Sequence, residues 1–306
     1  MRRFEPDGPP VFRVLLTAVV MVILWSGPPL PSHARGLDEI KASGELRFCI
    51  APVGPAFASP LDPACREDCG FSGPVYREAM AFASTLGNTV RPIFHRVEWD
   101  EQFHDRTGQT DRGAFYTPHL LATGKCDVYP SHVTRNEWRY KKVDFAILFP
   151  SRMLVLINKS RAGALKTPAD LAGKTAAAEK NSSFHTWLRE QNETTFAHHP
   201  VVIRLMSLKE GLNAVESGQA DFTLVDADIA LWEASHSFSH LGVAFPVGPR
   251  DEIGWAFDKK DQDLRIAVQD FFDSQAHDEA SELNKIWKEE FGVTLMQFQS
   301  LIQATK

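Results

Sequence analysis

Arg139 lies within GKCDVYPSHVTRNEWRYKKVDF, residues Gly124–Phe145, and offers the first chemistry in the chain. A guanidinium presents two parallel N–H donors in a planar fork, the geometry that grips a carboxylate. The stretch reads as a strand over Cys126–Pro130, a polar turn over Ser131–Asn136, and a second extended run over Val143–Phe149. An arginine just past the C-terminal end of a strand sits where open α/β sheets bind ligands. Taken alone, Arg139 stands beside Arg135, Lys141 and Lys142 and reads as one of several solvated cations.

The four cysteines, Cys49, Cys65, Cys69 and Cys126, come next. An even count in an exported chain points to disulfides, with three connectivities open. Cys65 and Cys69 can close a small loop; Cys49 and Cys126 can pair only if their strands are neighbours. A CxxxC zinc half-site is the other reading, but no second pair completes it. The chain has no GxSxG, no HExxH and no phosphate-binding glycine loop. His236 and His240 have i,i+4 spacing, but Ser235, Ser237 and Ser239 around them indicate a polar loop or helix end. No metal and no cofactor are expected.

Export is read from the first residues. Arg2, Arg3 and Arg13 precede an apolar run of 12 residues, Val14–Trp25, shorter than the roughly 20 that span a bilayer. Pro28, Pro29 and Pro31 break the run, and Ser32-His33-Ala34 reads as a cleavage site, so residues 1–34 are expected to be a secretory signal peptide cut near Ala34. The leader removes three basic and two acidic residues, which leaves 30 against 37 and a net charge of −7. Nothing in that balance favours nucleic acid or an anionic membrane.

The remaining residues, 35–306, are enough for two domains. Strands are expected at 45–51, 90–97, 126–130, 143–149, 153–158, 174–178, 201–205, 220–225, 243–247 and 252–257. Helices are expected between most of them, and two amphipathic helices, Leu264–Ser274 and Glu279–Phe291, come before a tail. Such alternation argues for mostly parallel α/β sheets flanked by helices. Helix ends at Thr123-Gly124-Lys125-Cys126-Asp127 and Ser217-Gly218-Gln219-Ala220-Asp221 echo one another, as two similar half-molecules would. Pro52–Gly73 reads as a loop, and His104–Gly113 as a polar surface insertion.

Four stretches in order, SGELRFCIAP, GKCDVYPSHVTRNEWRYKKVDF, DLAGKTAAAEKNSS and AVESGQADFTLVDAD, resemble the family 3 extracellular solute-binding proteins that deliver amino acids to ABC transporters. The resemblance covers Leu37 to about Phe291. It implies an α/β, two-lobed type II periplasmic-binding fold, its lobes joined by two crossover strands near Ser151–Met153 and Arg250–Gly254, with ligand in the cleft. Lobe 1 would comprise 35–150 plus 252–306, and lobe 2 would comprise 151–251. A monomer in the periplasm is implied, with a small carboxylate or amino acid and an ABC transporter permease as partners, and no nucleic acid.

Residue by residue, Arg139 matches the family arginine that pairs with the ligand α-carboxylate, and Thr134 matches the hydroxyl residue that helps hold the amino acid. Ser182 and Ser183 match a Thr/Ser pair at a helix N-terminus, where free amides and the helix dipole favour an anion. Asp226 matches the acid that takes the α-ammonium. Each also has a plainer role: Thr134 as a turn residue, Ser182 and Ser183 as helix caps, Asp226 and Asp228 as caps of the next helix. The chain departs from the pattern at Asn181, which replaces a glycine; at Gly54–Phe57, where Phe57 alone can stand in for a stacking aromatic; and at His132, which replaces a small hydroxyl residue. These departures bear on the ligand side chain more than on its amino-acid head.

Two other classes share the fold. A dehydratase-type enzyme would need a general acid in the cleft, and His132 is the candidate. A lytic transglycosylase would need a further catalytic domain beyond Phe291, and a sensing receptor would need a separate signalling partner. The expectation is a binding protein with no catalytic residues.

Overall fold

The computed structural model describes Met1 and residues 35–54, 56–236 and 239–304, so the expected signal peptide over 1–34, like Pro55 and Ser237, lies outside the described residues. Among the described residues there are ten strands: β1 (Glu45–Ile50), β2 (Ser59–Pro60), β3 (Phe71–Ser72), β4 (Arg91–Arg96), β5 (Tyr129–Thr134), β6 (Asp144–Asn158), β7 (Thr175–Ala178), β8 (Val202–Leu205), β9 (Phe222–Asp226) and β10 (Leu241–Phe257). Six of them form one sheet in the order β5-β10-β6-β9-β7-β8. β1 pairs in parallel with β4, and a parallel bridge from Phe48 to Val128 ties β1 to the chain entering β5. β7 pairs in parallel with both β8 and β9.

The framework is set by β6 and β10, which run antiparallel to each other over their lengths. One end of β10 carries β5, through Ile253–Thr134 and Gly254–Val133. The other end of β6 carries β9, from Met153–Asp226 to Ile157–Phe222. Two α/β lobes therefore hang from a shared pair of crossover strands, with helices on their faces. The expected strand breaks at Pro150 and at Gly248-Pro249 are absent; Pro150 stays in register opposite Glu252, and Gly248-Pro249 is absorbed as a register shift between Val247 and Arg250. Gly254 is required where the strands close up, because a Cβ there would fall 2.0 Å from the Ala146 carbonyl oxygen.

Aromatic packing fills the first lobe. Trp255 on β10 has no exposed surface and meets Phe48, Phe82 and Phe272 edge to face. Burying rings of this size contributes about 2–3 kcal/mol each. The expected tail is instead a helix, Leu295–Ala304, with Leu295, Phe298 and Ile302 buried. Phe298 packs edge to face on Phe149 and at a tilt against Trp287, and Gln299 donates to the Leu148 carbonyl at 2.9 Å, so this helix pins the crossover strand β6.

The segment around the ligand-binding candidates also differs from expectation. Ser131, His132 and Thr134 belong to β5 and are buried, rather than forming an exposed turn. Polar residues normally mark turns because burying them costs free energy, but here each has an internal partner. Ser131 Oγ accepts from the Ala51 amide at 3.0 Å, and His132 turns through φ 46° to reach two carboxylates. A short helix, Glu137–Tyr140, then carries Arg139 and is capped by Asn136 Oδ1 on the Arg139 amide.

Both disulfides form, Cys49–Cys126 and Cys65–Cys69. The first depends on the Phe48–Val128 bridge, which brings the two Cα atoms to 5.6 Å across 77 residues of sequence; the second closes a separation of only 4. Loop closure then predicts unequal losses in urea unfolding: about 4.5 kcal/mol for Cys49→Ala/Cys126→Ala and about 2 kcal/mol for Cys65→Ala/Cys69→Ala. Equal losses would show that the long loop is already restrained in the unfolded chain.

Candidate functional site

Between the lobes lies a narrow cavity, with about 30 Å³ of room for the centres of water-sized molecules. Phe57, His132 and Thr134 line it from the first lobe, and Ser182, Ser183 and Asp226 from the second. Thr134 Oγ1 donates to Ser183 Oγ at 3.3 Å, so the two walls touch there. Ser182 is committed locally: it caps the helix Ser183–Glu193 by accepting from the His185 amide at 3.1 Å, and it donates to the Glu179 carbonyl at 2.7 Å.

Arg139 stands behind this wall rather than in it. Its side chain is fully buried, with its guanidinium carbon 5.3 Å from the Trp99 ring centre, 5.0 Å from that of Phe103 and 5.2 Å from that of Trp138. It donates to the Thr134 carbonyl at 3.0 Å and to the Asn181 carbonyl at 3.3 Å, both of them backbone next to the cavity lining. Its Nε has no hydrogen-bond partner, and among the described residues no carboxylate lies within ion-pair distance of it. Burial and the nearby Arg112 pull its pKa down to about 9, against the opposing pull of Asp226 and Asp251.

Asn181 holds the place where the family pattern has glycine, and its φ of 61° is the left-handed conformation asparagine tolerates. Its side chain joins the lobes, donating to Asp100 Oδ1 at 2.6 Å and accepting from Arg112 Nε at 3.1 Å. Arg112 also donates to Thr186 Oγ1 at 2.8 Å, so the expected surface insertion reaches across to the second lobe.

Asp226 ends β9 with 6 % of its surface exposed, and its Oδ1 has no partner. Burial, followed by repulsion from Asp228 and Asp251, raises its pKa well above the ordinary carboxylate range. Arg139 and His132 pull the other way, which puts the two expected head-group charges within electrostatic reach of each other. Burial likewise raises Asp251 to about 6 and Glu179, also in the cavity lining, to about 7.

His132 is bound on both ring nitrogens. Nε2 meets Glu78 Oε2 at 2.8 Å and Nδ1 meets Asp228 Oδ2 at 3.1 Å, with all three side chains buried. Glu78 is completed by the Trp287 indole N–H at 2.9 Å. Burial works against an imidazolium, but the two carboxylates outweigh it and raise His132 to about 10. Asp228 therefore serves as a link between lobes from the first turn of the helix Ala227–His236, not as the expected cap. His236 stacks on Trp232, and among the described residues no group of three His, Cys, Asp or Glu side chains is placed to hold a metal.

Reading the sequence missed Glu78, Trp99, Glu179 and Asp251. Glu78 falls on the apolar face of the helix Pro74–Thr85, alongside Val75, Ala79 and Phe82, and that misplaced charge was the one available signal. The other three sit in stretches without helical or strand periodicity around them.

No protein-family profile matches the chain. Among curated proteins it is similar to the L-cystine-binding protein TcyJ of Escherichia coli, 28 % identical over 265 residues, covering 84 % of this chain and 88 % of that one. It is also similar to membrane-bound lytic murein transglycosylase F of Yersinia enterocolitica, 28 % identical over 271 residues, and of Desulfosudis oleivorans, 27 % identical over 154 residues. The matched region spans only 50 % and 34 % of those two transglycosylases. Among solved structures it is similar to an ancestral amino acid-binding protein that is a precursor of cyclohexadienyl dehydratase, with TM-score 0.66, 24 % identity, and coverage of 83 % and 98 % of the two chains. A histidine-bound ABC uptake transporter substrate-binding protein from Streptococcus pneumoniae matches with TM-score 0.65 at 16 % identity over 84 % and 96 %. The fold is that of the two-lobed type II periplasmic binding proteins.

The His132 linkage has a definite pH signature. Because the folded pKa, about 10, lies above the ordinary 6.5, its stabilisation is fully present below pH 6.5 and is lost as pH rises towards 10. Its size is on the order of a few kcal/mol. Lys142, which burial lowers to about 8, acts in the opposite sense, so the readout is the difference from His132→Asn. Calorimetry from pH 6 to 10 should show the gap in Tm between wild type and His132→Asn closing as pH rises. A constant gap would mean that the imidazole is neutral in the fold.

Proposed function

We propose that the protein captures an amino acid, or a closely related small carboxylate, in the interlobe cavity and presents it to an ABC transporter permease. The observation that carries this reading is the buried Arg139 guanidinium, which has no ion pair among the described residues and lies within electrostatic reach of Asp226, whose buried Oδ1 is unpartnered. A chain rarely buries a guanidinium without an anion, because desolvation costs several kcal/mol. A ligand α-carboxylate at the Thr134–Ser183 junction would supply that anion, and its α-ammonium would restore charge to Asp226. The free amides at the start of the helix Ser183–Glu193 would add to the anion's hold. Similarity to amino-acid-binding proteins over most of their length supports the same reading.

On this reading the lobes comprise 35–150 with 252–306, and 151–251, and the ligand closes them by touching both. Residues 1–34 would act as a signal peptide, the mature chain would work in the periplasm as a monomer, and transport rather than signalling would be its role. We infer no catalysis. Both ring nitrogens of His132 are taken by carboxylates, so it offers no free proton donor for a dehydratase step. The transglycosylase relatives extend far beyond the matched region, and their activity is not carried over.

Residues 35–306 should show a rise in Tm with an amino acid at about 100 times its Kd, a stabilisation of about 2.7 kcal/mol. Arg139→Ala should melt cooperatively yet lose affinity by 2–5 kcal/mol, roughly 30-fold or more. Asp226→Asn should weaken zwitterionic amino acids more than the matching carboxylates without the amine. An Arg139→Ala protein that binds with unchanged affinity would remove the carboxylate role, and equal losses for both ligand classes in Asp226→Asn would remove the ammonium role.

A further inference from the structure

Beyond the groups that would hold an amino-acid head, the cavity continues between Val53, Phe57 and Trp99 of the first lobe and Glu179, Ser207 and Leu208 of the second. Among the described residues no lysine or arginine lines it, and the histidine in its wall, His132, is paired with Glu78 and Asp228. One carboxylate remains in this part of the lining. Glu179 follows the C-terminal end of β7 and makes no ion pair among the described residues; neighbouring Lys180 points its charge to Asp100 at 3.6 Å instead. The amide of Leu208, the first residue of the helix Leu208–Glu216, lies near enough to the Glu179 carboxyl to favour its charged form. One N–H satisfies only part of a group with two oxygens and about four lone-pair sites.

We infer that the amino acid bound here carries a positively charged side chain, an ammonium or guanidinium, whose charge is taken by Glu179 with the Trp99 and Phe57 rings beside it. The inference rests on the amino-acid reading given above and adds the ligand's chemical class to it. A cation in this position completes the open lone pairs of Glu179. Aromatic faces attract cations through their quadrupoles, most strongly where water is excluded. Burial, with Glu98, Glu210 and Asp100 nearby, already raises Glu179 to about 7, which is the direction a carboxylate takes when its surroundings are short of positive charge. A second carboxylate in the lining, Asp226, is occupied by the α-ammonium on the same reading, so the two acids divide the two charges of one ligand. An acidic ligand side chain would face Glu179 directly, and a neutral one would leave this half-buried carboxylate without a countercharge.

Calorimetric titration of residues 35–306 with L-lysine and L-arginine, set against their neutral counterparts L-norleucine and L-citrulline, decides the matter. The charged member of each pair should bind at least about tenfold more tightly. Glu179→Gln keeps an acceptor for the Leu208 amide, so its Tm without ligand should stay near that of the wild type, while the charged-to-neutral ratio falls towards one. If the neutral members bind as well as the charged ones, the amino-acid reading survives and the charged side chain is ruled out. If the ratio stays high in Glu179→Gln, the cation is real and Glu179 is not its receptor. If no amino acid of either class binds, the reading beneath fails first.

Discussion

Charge buried at the seam between the lobes is the constraint around which this chain is built. Arg139, His132, Glu78, Asp226 and Asp228 are all less than a tenth exposed. A carboxylate or guanidinium stripped of water loses several kcal/mol unless hydrogen bonds and opposite charge replace the solvent. The fold answers this demand in two ways. His132 receives two carboxylates, and one of them is further held by the Trp287 indole. Arg139 receives two backbone carbonyls and three aromatic faces, which hold a cation in place without neutralising it. The first arrangement is complete within the protein, and the second is not.

The crossover strands explain why both arrangements fall at the same place. β5 pairs with β10 at Ile253 and Gly254, and β9 pairs with β6 from Met153. Thr134 and Asp226 are the terminal residues of β5 and β9, so both strands end at the seam, where their sheets pass from one lobe to the other. Strand ends expose unpaired backbone groups, and the Thr134 carbonyl is used at once by Arg139. Asp226, on the far side, lies within the electrostatic reach of the same guanidinium. Sheet geometry thus sets the spacing of the site, and loop conformation adjusts only its rim.

Much of this was legible along the chain. Apolar runs bounded by glycine, such as Lys174–Ala178 and Ala220–Val225, become β7 and β9 with their ends moved by one or two residues. The long strands were harder, because Pro150, Pro246 and Gly248-Pro249 punctuate them as a loop would, yet pairing along their whole length overrides local preference. Ser131–Thr134 looked like a turn because hydroxyls and histidine are usually solvated; nothing local reveals that Glu78, 54 residues earlier, and Asp228, 96 later, supply partners. Leu295, Phe298 and Ile302 did carry a helical spacing that the word tail concealed. Six of the seven candidate residues reach one cavity, Thr134 and Asp226 from strand ends and Ser182 and Ser183 from a helix start, while the places of Trp99 in the wall and of Asn181 behind it follow only from the fold.

The His132 cluster bears on how the lobes meet. Glu78 and His132 belong to the first lobe and Asp228 to the second, so their hydrogen bonds cross the seam, as do those of Arg112 and Asn181. Contacts of this kind favour the closed arrangement before any ligand enters. A ligand shifts an equilibrium only by its differential affinity for the two states, so a protein already biased towards closure has less change left for the ligand to drive. The bias has a limit set by Arg139: the closed seam also brings an uncompensated guanidinium into low dielectric, and that cost opposes the favourable cluster. On the proposed reading, closure is balanced between one charge network that the chain satisfies and one that a bound carboxylate would satisfy.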